Sequence, residues 1–260
     1  MIITKEMLIK SFKELGLEKN DRLMVHTSLS SFGGIVSGGA QTIIEALMEI
    51  VSEEGLIMMP TQSWKNLDPD TGVHGTVTEE EANVIRQTWP AFNKRLTPTN
   101  TMGSVAEMFR LWPNTYRSSH PSRSLAAWGK GAEDMMVAHD LSDIFGPSSP
   151  LQKLYELKGK VLLIGVGHDK NTSIHLADAL AEYPSKHHET HFSAMTINDK
   201  RVWQSYNTLY VDGEDFEEIG EAFENKHDVS VKLLGEATLK LMSQCDLVDF
   251  SVEWIEKNRR

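Results

Sequence analysis

Two residues three positions apart, His175 and Asp178, have side chains that could together remove a proton from a substrate. Imidazole is a base with a pKa near neutrality, and a neighbouring carboxylate orients the ring and stabilises its protonated form. His175 lies in the first turn of a predicted helix that follows residues 160–167, an apolar run typical of a central strand. A histidine on an apolar helix is also common in protein cores, and Asp212 or Glu214 could supply the carboxylate instead. The residues alone leave these alternatives open.

Residues 26–40 form a second segment with binding chemistry, a loop that contains four glycines and four serines. It connects a predicted strand, residues 22–26, to a predicted helix, residues 41–51. Backbone N–H groups at a helix N-terminus favour anions, and glycine lets a ligand approach the backbone closely. The loop has neither the Gly-x-Gly-x-x-Gly nor the Walker pattern. It is therefore a candidate cradle for phosphate or pantetheine, and a purely structural Gly/Ser loop is the alternative.

The elements that position these residues alternate between strand and helix. Residues 22–26, 41–51 and 56–59 predict a strand, helix and strand unit with parallel pairing. We therefore expect a three-layer α/β/α fold with a central mixed, largely parallel sheet, in one domain covering residues 1–260. A polar, irregular excursion at about 62–100 would be a lid, a substrate wall or a solvated insertion.

The C-terminal third predicts a hairpin at residues 194–197 and 201–203, helices at 216–226 and 235–242, and an amphipathic segment at 248–255. Residues 187–191 read His-His-Glu-Thr-His, which lacks the His-Glu-x-x-His order, so we expect no metal there but a polar loop near the substrate entrance. His168 is expected in a surface turn, with entry into the site as the alternative. Trp64, Trp89 and Trp112 border the excursion and are expected to pack in a core or lid rather than stack on a ligand.

Composition restricts the class of protein further. Hydrophobic residues make up 40% and charged residues 24% of the 260 residues, as in ordinary globular proteins. The net charge of −11 argues against nucleic acid and suits a cationic substrate, although many proteins are acidic for solubility alone. No run is apolar enough for a membrane span and no signal peptide is recognisable, so we expect a cytoplasmic protein without a membrane partner, as a monomer or homodimer. Cys245 is expected to be a small buried side chain.

Several ordered blocks of the sequence resemble the aminoglycoside 3-N-acetyltransferase family. The resemblance covers about residues 21–178, and its first block is the loop at residues 26–40. Similarity is weaker at 219–224 and 248–250. The blocks between are Met59-Pro60-Thr61, Arg117-Ser118-Ser119-His120-Pro121, residues 124–129, Ser149-Pro150 with Lys153-Leu154, residues 162–167 and Asn171-Thr172-Ser173-Ile174-His175-Leu176-Ala177.

The resemblance implies an antibiotic-resistance acyltransferase that moves acetyl directly from acetyl-CoA to a small-molecule amine, without a metal. His175 occupies the position of the family's general base. Asp178 stands where the family more often has Glu, and Thr61, Ser173 or backbone N–H groups of the loop at residues 26–40 would help stabilise the oxyanion. The resemblance places coenzyme A against Ser28, Leu29, Ser30, Ser31, Val36, Gly38 and Gly39, with Thr61, Ser118, His120 and Ser124 on the pantetheine side. The same chemistry on another amine metabolite, or coenzyme A binding without transfer, are the alternatives.

Overall fold

A computed structural model describes all of residues 1–260. Seven of its eleven strands form one sheet with the order β10-β11-β7-β2-β4-β6-β5, and β1–β3 and β8–β9 are separate two-stranded sheets. The strands are β1 (Ile2–Ile3), β2 (Arg22–Thr27), β3 (Ile35–Val36), β4 (Leu56–Pro60), β5 (Thr115–Arg117), β6 (Leu125–Gly129), β7 (Lys160–Ile164), β8 (His188–Ile197), β9 (Lys200–Leu209), β10 (Ser230–Leu234) and β11 (Ala237–Ser243).

The large sheet is mixed, as predicted. β7, β2 and β4 pair in parallel at its centre, and the remaining pairs are antiparallel. Only β11 and β6 run against the other strands, so the sheet is largely parallel in strand direction although not in pairing. This arrangement confirms the expected fold class.

Helices cover both faces of the sheet and give the molecule two hydrophobic cores. α1, α2 and α4 pack on one face, and α5 to α9 pack on the other. Leu23 and Val25 of β2 point into the first core and Met24 into the second, which is the alternation expected of a strand buried on both sides. The helices are α1 (Lys5–Leu15), α2 (Ala40–Val51), α3 (Glu79–Thr88), α4 (Gly103–Phe109), α5 (Ala132–Val137), α6 (Pro150–Glu156), α7 (Ile174–Leu180), α8 (Phe216–Glu224) and α9 (Gln244–Asn258).

Three segments with candidate functional residues leave the sheet at the carboxyl ends of its central strands. The carboxyl ends of β2, β4 and β7 lie side by side because these strands are parallel neighbours. The Gly/Ser loop leaves β2 there, the polar excursion leaves β4, and the segment that leads into α7 leaves β7. Ligands of open α/β sheets bind at the carboxyl ends of the strands.

The structure corrects the predicted secondary structure of the C-terminal third. The predicted helix at residues 235–242 is wrong, because Gly235 turns the chain with φ +64° and β11 follows. Ala237, Leu239 and Leu241 are buried at every second position, which is the period of a strand. The hairpin is real but longer than predicted, and β8 takes up His188–His191, so the expected polar loop is wrong there.

The excursion is more regular than expected, because it contains α3. Thr78 and Glu81 form a capping box at the start of this helix. Arg86 on α3 then forms ion pairs with Asp68 and Asp70, at N–O distances of 3.0 and 2.7 Å. These contacts hold α3 against the earlier part of the excursion, and Arg201 of β9 holds the end of α3 by donating to the carbonyls of Arg86 and Trp89.

Two further expectations concern single residues or the chain as a whole. Cys245 is half-buried, less than predicted, and its thiol donates to the carbonyl of Tyr155 at 3.2 Å. No helix has the length and apolar character required to cross a bilayer.

Candidate active site

A cavity of about 1370 Å³ opens at the carboxyl ends of the central strands, where the Gly/Ser loop, the excursion and the segment before α7 meet. The wall formed by the Gly/Ser loop includes Ser28, Leu29, Ser30, Val36 and Gly39. The other walls include Gln62 and Trp64, residues 101–104, residues 165–167, residues 211–213 and Phe216. His175 lines the same cavity, so the two segments with chemistry in the sequence meet here.

His175 is held by a chain of charged groups behind it. Its Nδ1 lies 2.8 Å from Oδ2 of Asp178, whose side chain is fully buried. Arg259 donates to the other carboxylate oxygen of Asp178, and it also forms a two-pronged pair with Asp215 at 2.7 and 2.7 Å. A carboxylate at Nδ1 fixes the tautomer in which Nδ1 carries the proton, which leaves Nε2 as the basic nitrogen.

Two aromatic rings fix the orientation of the His175 imidazole. Phe145 stacks on it at a centroid distance of 4.7 Å and an angle of 4°, and Phe216 packs at 4.6 Å and 61°. The His175 side chain keeps 14% of its surface exposed, and its Nε2 has no partner within the protein. The exposed nitrogen is therefore available to a molecule in the cavity.

Two other histidines lie close to this centre. His26, at the end of β2, lines the cavity, and its Nε2 is buried without a partner. Burial, and to a smaller extent charge repulsion from the nearby His168 and His175, lowers the pKa of His26 to about 3, so His26 is neutral at physiological pH. The expectation of a surface turn for His168 is wrong: the side chain is fully buried and its Nε2 contacts Glu224 at 2.7 Å.

The backbone of the Gly/Ser loop requires glycine at its second pair of glycines. Gly38 and Gly39 have φ values of +80° and +60°, which other residues adopt only with strain. Ser31, which does not line the cavity, donates through its Oγ to the carbonyl of Ser28 at 2.7 Å. Ser31 and Gly38 therefore support the loop, whereas the other five predicted coenzyme A residues of the loop line the cavity.

Five other predicted site residues are buried away from the cavity surface. Ser118 donates to or accepts from His139 Nδ1 at 2.8 Å, and Nδ1 of His120 accepts from the backbone N–H of Arg123 at 3.0 Å. The Oγ atoms of Thr61 and Ser124 are 3.4 Å apart. Ser173, at the start of α7, is also fully buried, and its hydroxyl has no partner. The structure thus gives most of this group partners inside the protein.

The sequence did not single out Gln62, Arg123 or Asp169, and it indicated Trp64 only as a packing residue and Asp212 only as a possible partner of His175, although all five line the cavity. Gln62, Trp64 and Arg123 come together on one wall, with the Arg123 guanidinium 4.8 Å from the Trp64 ring centroid. Asp169 and Asp212 contribute carboxylates elsewhere in the lining. A polar residue on an irregular segment carries little signal by itself, and these positions become recognisable only when the fold brings them together.

Comparison with known proteins agrees with this geometry. The family model "Aminoglycoside 3-N-acetyltransferase" matches residues 24–256. The SPbeta prophage-derived aminoglycoside N(3')-acetyltransferase-like protein YokD of Bacillus subtilis is 40% identical over 98% of this chain and 93% of its own. The crystal structure of YokD superposes with a TM-score of 0.95, at 39% identity, over 99% of this chain and 95% of that chain.

Two solved structures with bound ligands are also similar. AAC-VIa bound to sisomicin has a TM-score of 0.89 and 28% identity, and covers 100% of this chain and 99% of its own. AAC-IIIb as a binary complex with CoASH has a TM-score of 0.87 and 28% identity, over 99% of this chain and 98% of that chain.

Fold, cavity and these likenesses together define an acyltransferase. The chain belongs to the aminoglycoside 3-N-acetyltransferase family, which uses acetyl-CoA as its acyl donor. The predicted family, enzyme class and cosubstrate are thereby confirmed.

Proposed function

We propose that this protein transfers the acetyl group of acetyl-CoA directly to an amine, with His175 as the general base. The observation that carries the proposal is the His175–Asp178 pair, whose free Nε2 faces the cavity walled by the Gly/Ser loop. The 3-amino group of an aminoglycoside is the acceptor suggested by the family name and by the sisomicin complex of AAC-VIa. Another amine metabolite is the alternative acceptor.

The chain's own residues account for the proton movements. His175 Nε2 removes a proton from the amine as its nitrogen attacks the thioester carbonyl, and Asp178 stabilises the resulting imidazolium. The carbon–nitrogen bond forms, the carbon–sulfur bond breaks, and the proton on His175 passes to the departing sulfur to give free coenzyme A.

The negative charge that develops on the carbonyl oxygen needs hydrogen-bond donors. Backbone N–H groups of the Gly/Ser loop and the neutral His26 ring lie on the cavity wall. Thr61 and Ser173, the side chains suggested by the sequence, are fully buried outside that lining. We therefore favour the loop backbone and His26 as donors.

A thiol-release assay with acetyl-CoA tests the proposed function. The acceptors are a panel of aminoglycosides, including sisomicin, and simpler amines. We expect amine-dependent release of thiol, with acetylated amine detected by mass spectrometry. Turnover of other amines but of no aminoglycoside would change the acceptor and keep the enzyme class. Binding of coenzyme A without thioester cleavage on the whole panel would contradict the proposal.

Location of the protein in the cytoplasm stays a prediction.

The Gly/Ser loop provides a prediction of its own. Gly39→Ala places a side chain at φ +60° and ψ −132°, a conformation that costs about 1–3 kcal/mol outside glycine. A Cβ there would meet only Leu29, at 3.9 Å, so backbone strain is the main effect. We expect a several-fold higher KM for acetyl-CoA, measured by steady-state kinetics.

Gly75→Ala is the matched control for the loop. Gly75 also has a positive φ, +76°, and a Cβ there would meet nothing within 4 Å. It lies in the excursion and outside the cavity lining, so the KM for acetyl-CoA should stay at its wild-type value. Equal KM values in the two variants would remove Gly39 from cosubstrate binding.

A further inference from the structure

Arg123, which is half-buried, differs from the other buried and half-buried arginines because its guanidinium has neither an ion pair nor a full set of hydrogen bonds. Its Nε is buried without a hydrogen bond, and its one side-chain hydrogen bond runs from Nη1 to Gln62 Oε1 at 3.2 Å. None of its nitrogens forms an ion pair, although a guanidinium carries five donors. Burial lowers the pKa of Arg123, and attraction by Tyr206 and Glu189 opposes this effect without cancelling it.

The other arginines of the interior show what a satisfied guanidinium looks like here. Arg86, Arg110 and Arg259 each form ion pairs with carboxylates. Arg117 has no carboxylate, yet all three of its nitrogens donate to carbonyl or hydroxyl oxygens. Arg123 has neither arrangement, and it lines the cavity.

The surroundings of Arg123 hold its guanidinium in place. The Trp64 ring packs against it at 4.8 Å, and Trp64 Nε1 donates to the same Gln62 oxygen that accepts from Arg123. A planar guanidinium fixed in this way is suited to a two-pronged contact with a carboxylate or phosphate.

The charge balance of the cavity supports the same interpretation. The lining contains two carboxylates, Asp169 and Asp212, and two cations, Lys170 and Arg123. Asp169 is paired with Lys170 at 2.8 Å. Recognition of a polycation would favour an excess of negative charge in the cavity. The charges of the lining balance instead, so the net charge of −11 resides elsewhere on the protein.

We propose that the acceptor carries an oxyanion group, a carboxylate or a phosphate, in the same molecule as its amine, and that Arg123 binds this group while His175 receives the amine. The inference rests on the proposed acetyl transfer and replaces a polycationic acceptor with a zwitterionic one. Arg123 becomes the residue that determines acceptor specificity.

Matched pairs of amines test the inference by thiol release. The pairs are glucosamine 6-phosphate with glucosamine, O-phosphoethanolamine with ethanolamine, and β-alanine with its amide, and sisomicin is the polycation. We expect the wild-type enzyme to prefer an acidic member by about 30-fold or more in kcat/KM. The preferred pair distinguishes phosphate from carboxylate. Arg123→Gln should remove most of the preference with the KM for acetyl-CoA unchanged, and Arg123→Lys should retain part of it.

Three results would overturn the inference. The first is a wild-type preference for sisomicin or the neutral amines, and the second is an unchanged acid preference in Arg123→Gln. The third is a rise in the KM for acetyl-CoA of Arg123→Gln that is equal with every acceptor, which would assign Arg123 to the phosphates of coenzyme A. Calorimetric binding of the same pairs to wild-type and Arg123→Gln decides the matter even without turnover. Tighter wild-type binding of an acidic member, lost in the variant, would support the inference while the transfer proposal fails; equal binding would overturn it. Thermal unfolding checks that the variants are folded.

Discussion

Replacing His175 with Asn should lower kcat for acetyl transfer by about 100- to 10,000-fold, the usual contribution of general base catalysis. The amide cannot take up the amine proton, whereas the Gly/Ser loop is untouched by the change. Thiol release measures the loss, and calorimetry with coenzyme A should give an affinity close to that of the wild type.

His191→Asn is the matched control for this variant. Like His175, His191 contacts a carboxylate, Glu189, at 2.6 Å and an aromatic ring, Tyr206, but it is buried and does not line the cavity. Its replacement should leave the KM for acetyl-CoA and most of kcat intact. Wild-type kcat in His175→Asn would remove His175 from the mechanism, and loss of coenzyme A binding in the same variant would point to a structural role.

Asp178→Asn should reduce kcat by about 100-fold or more, by analogy with other histidine–carboxylate pairs. An amide in this place can donate to Nδ1 and so favours the tautomer in which Nε2 carries the proton, which cannot act as a base. The variant should also have a free energy of unfolding lower by about 2 kcal/mol, because the buried negative charge that pairs with Arg259 is lost while the amide oxygen can still accept its hydrogen bond.

Arg259→Gln separates the two roles of Asp178. It removes the cation behind the carboxylate but keeps the contact between Asp178 and His175. We expect a similar loss of stability, measured by urea unfolding, with a smaller loss of kcat. If both variants lose stability and retain wild-type kcat, Asp178 is an anchor for Arg259 and not a partner of the base.

The parts of the fold that follow from local pattern were predicted correctly. β2 and β7 are apolar runs with clear ends, and β2, α2 and β4 succeed each other with the spacing of a parallel unit. The predicted strand at residues 160–167 extends only to Ile164, because Gly165 leaves the sheet with φ +63°. The position of His175 in the first turn of the helix after this strand could be predicted from the order of the elements alone.

Two elements that differ from the prediction, β11 and α3, do have a signal in the sequence. The period of two in Ala237, Leu239 and Leu241 indicates a strand, although the run also contains good helix formers. Thr78 and Glu81 have the spacing of a capping box, yet the three glutamates of residues 79–81 suggest a solvated loop when charge alone is considered.

Long-range contacts had no such signal. Arg259 and Asp178 are 81 residues apart in sequence, and nothing near either residue indicates the other. Arg123 lies beside a resemblance block, but its lack of a partner is a property of the folded interior. Such features depend on which surfaces the fold brings together, and local pattern does not contain that information.

The packing around His175 has a consequence for regiochemistry. With Nδ1 occupied by Asp178 and the ring fixed by Phe145 and Phe216, a single immobile atom is open to the acceptor. A base fixed at one point cannot search among several amines on the same molecule. The site of acetylation on a polyamine is therefore set by the contacts that anchor the distant parts of the acceptor, so changes at the far wall of the cavity should alter which nitrogen is modified.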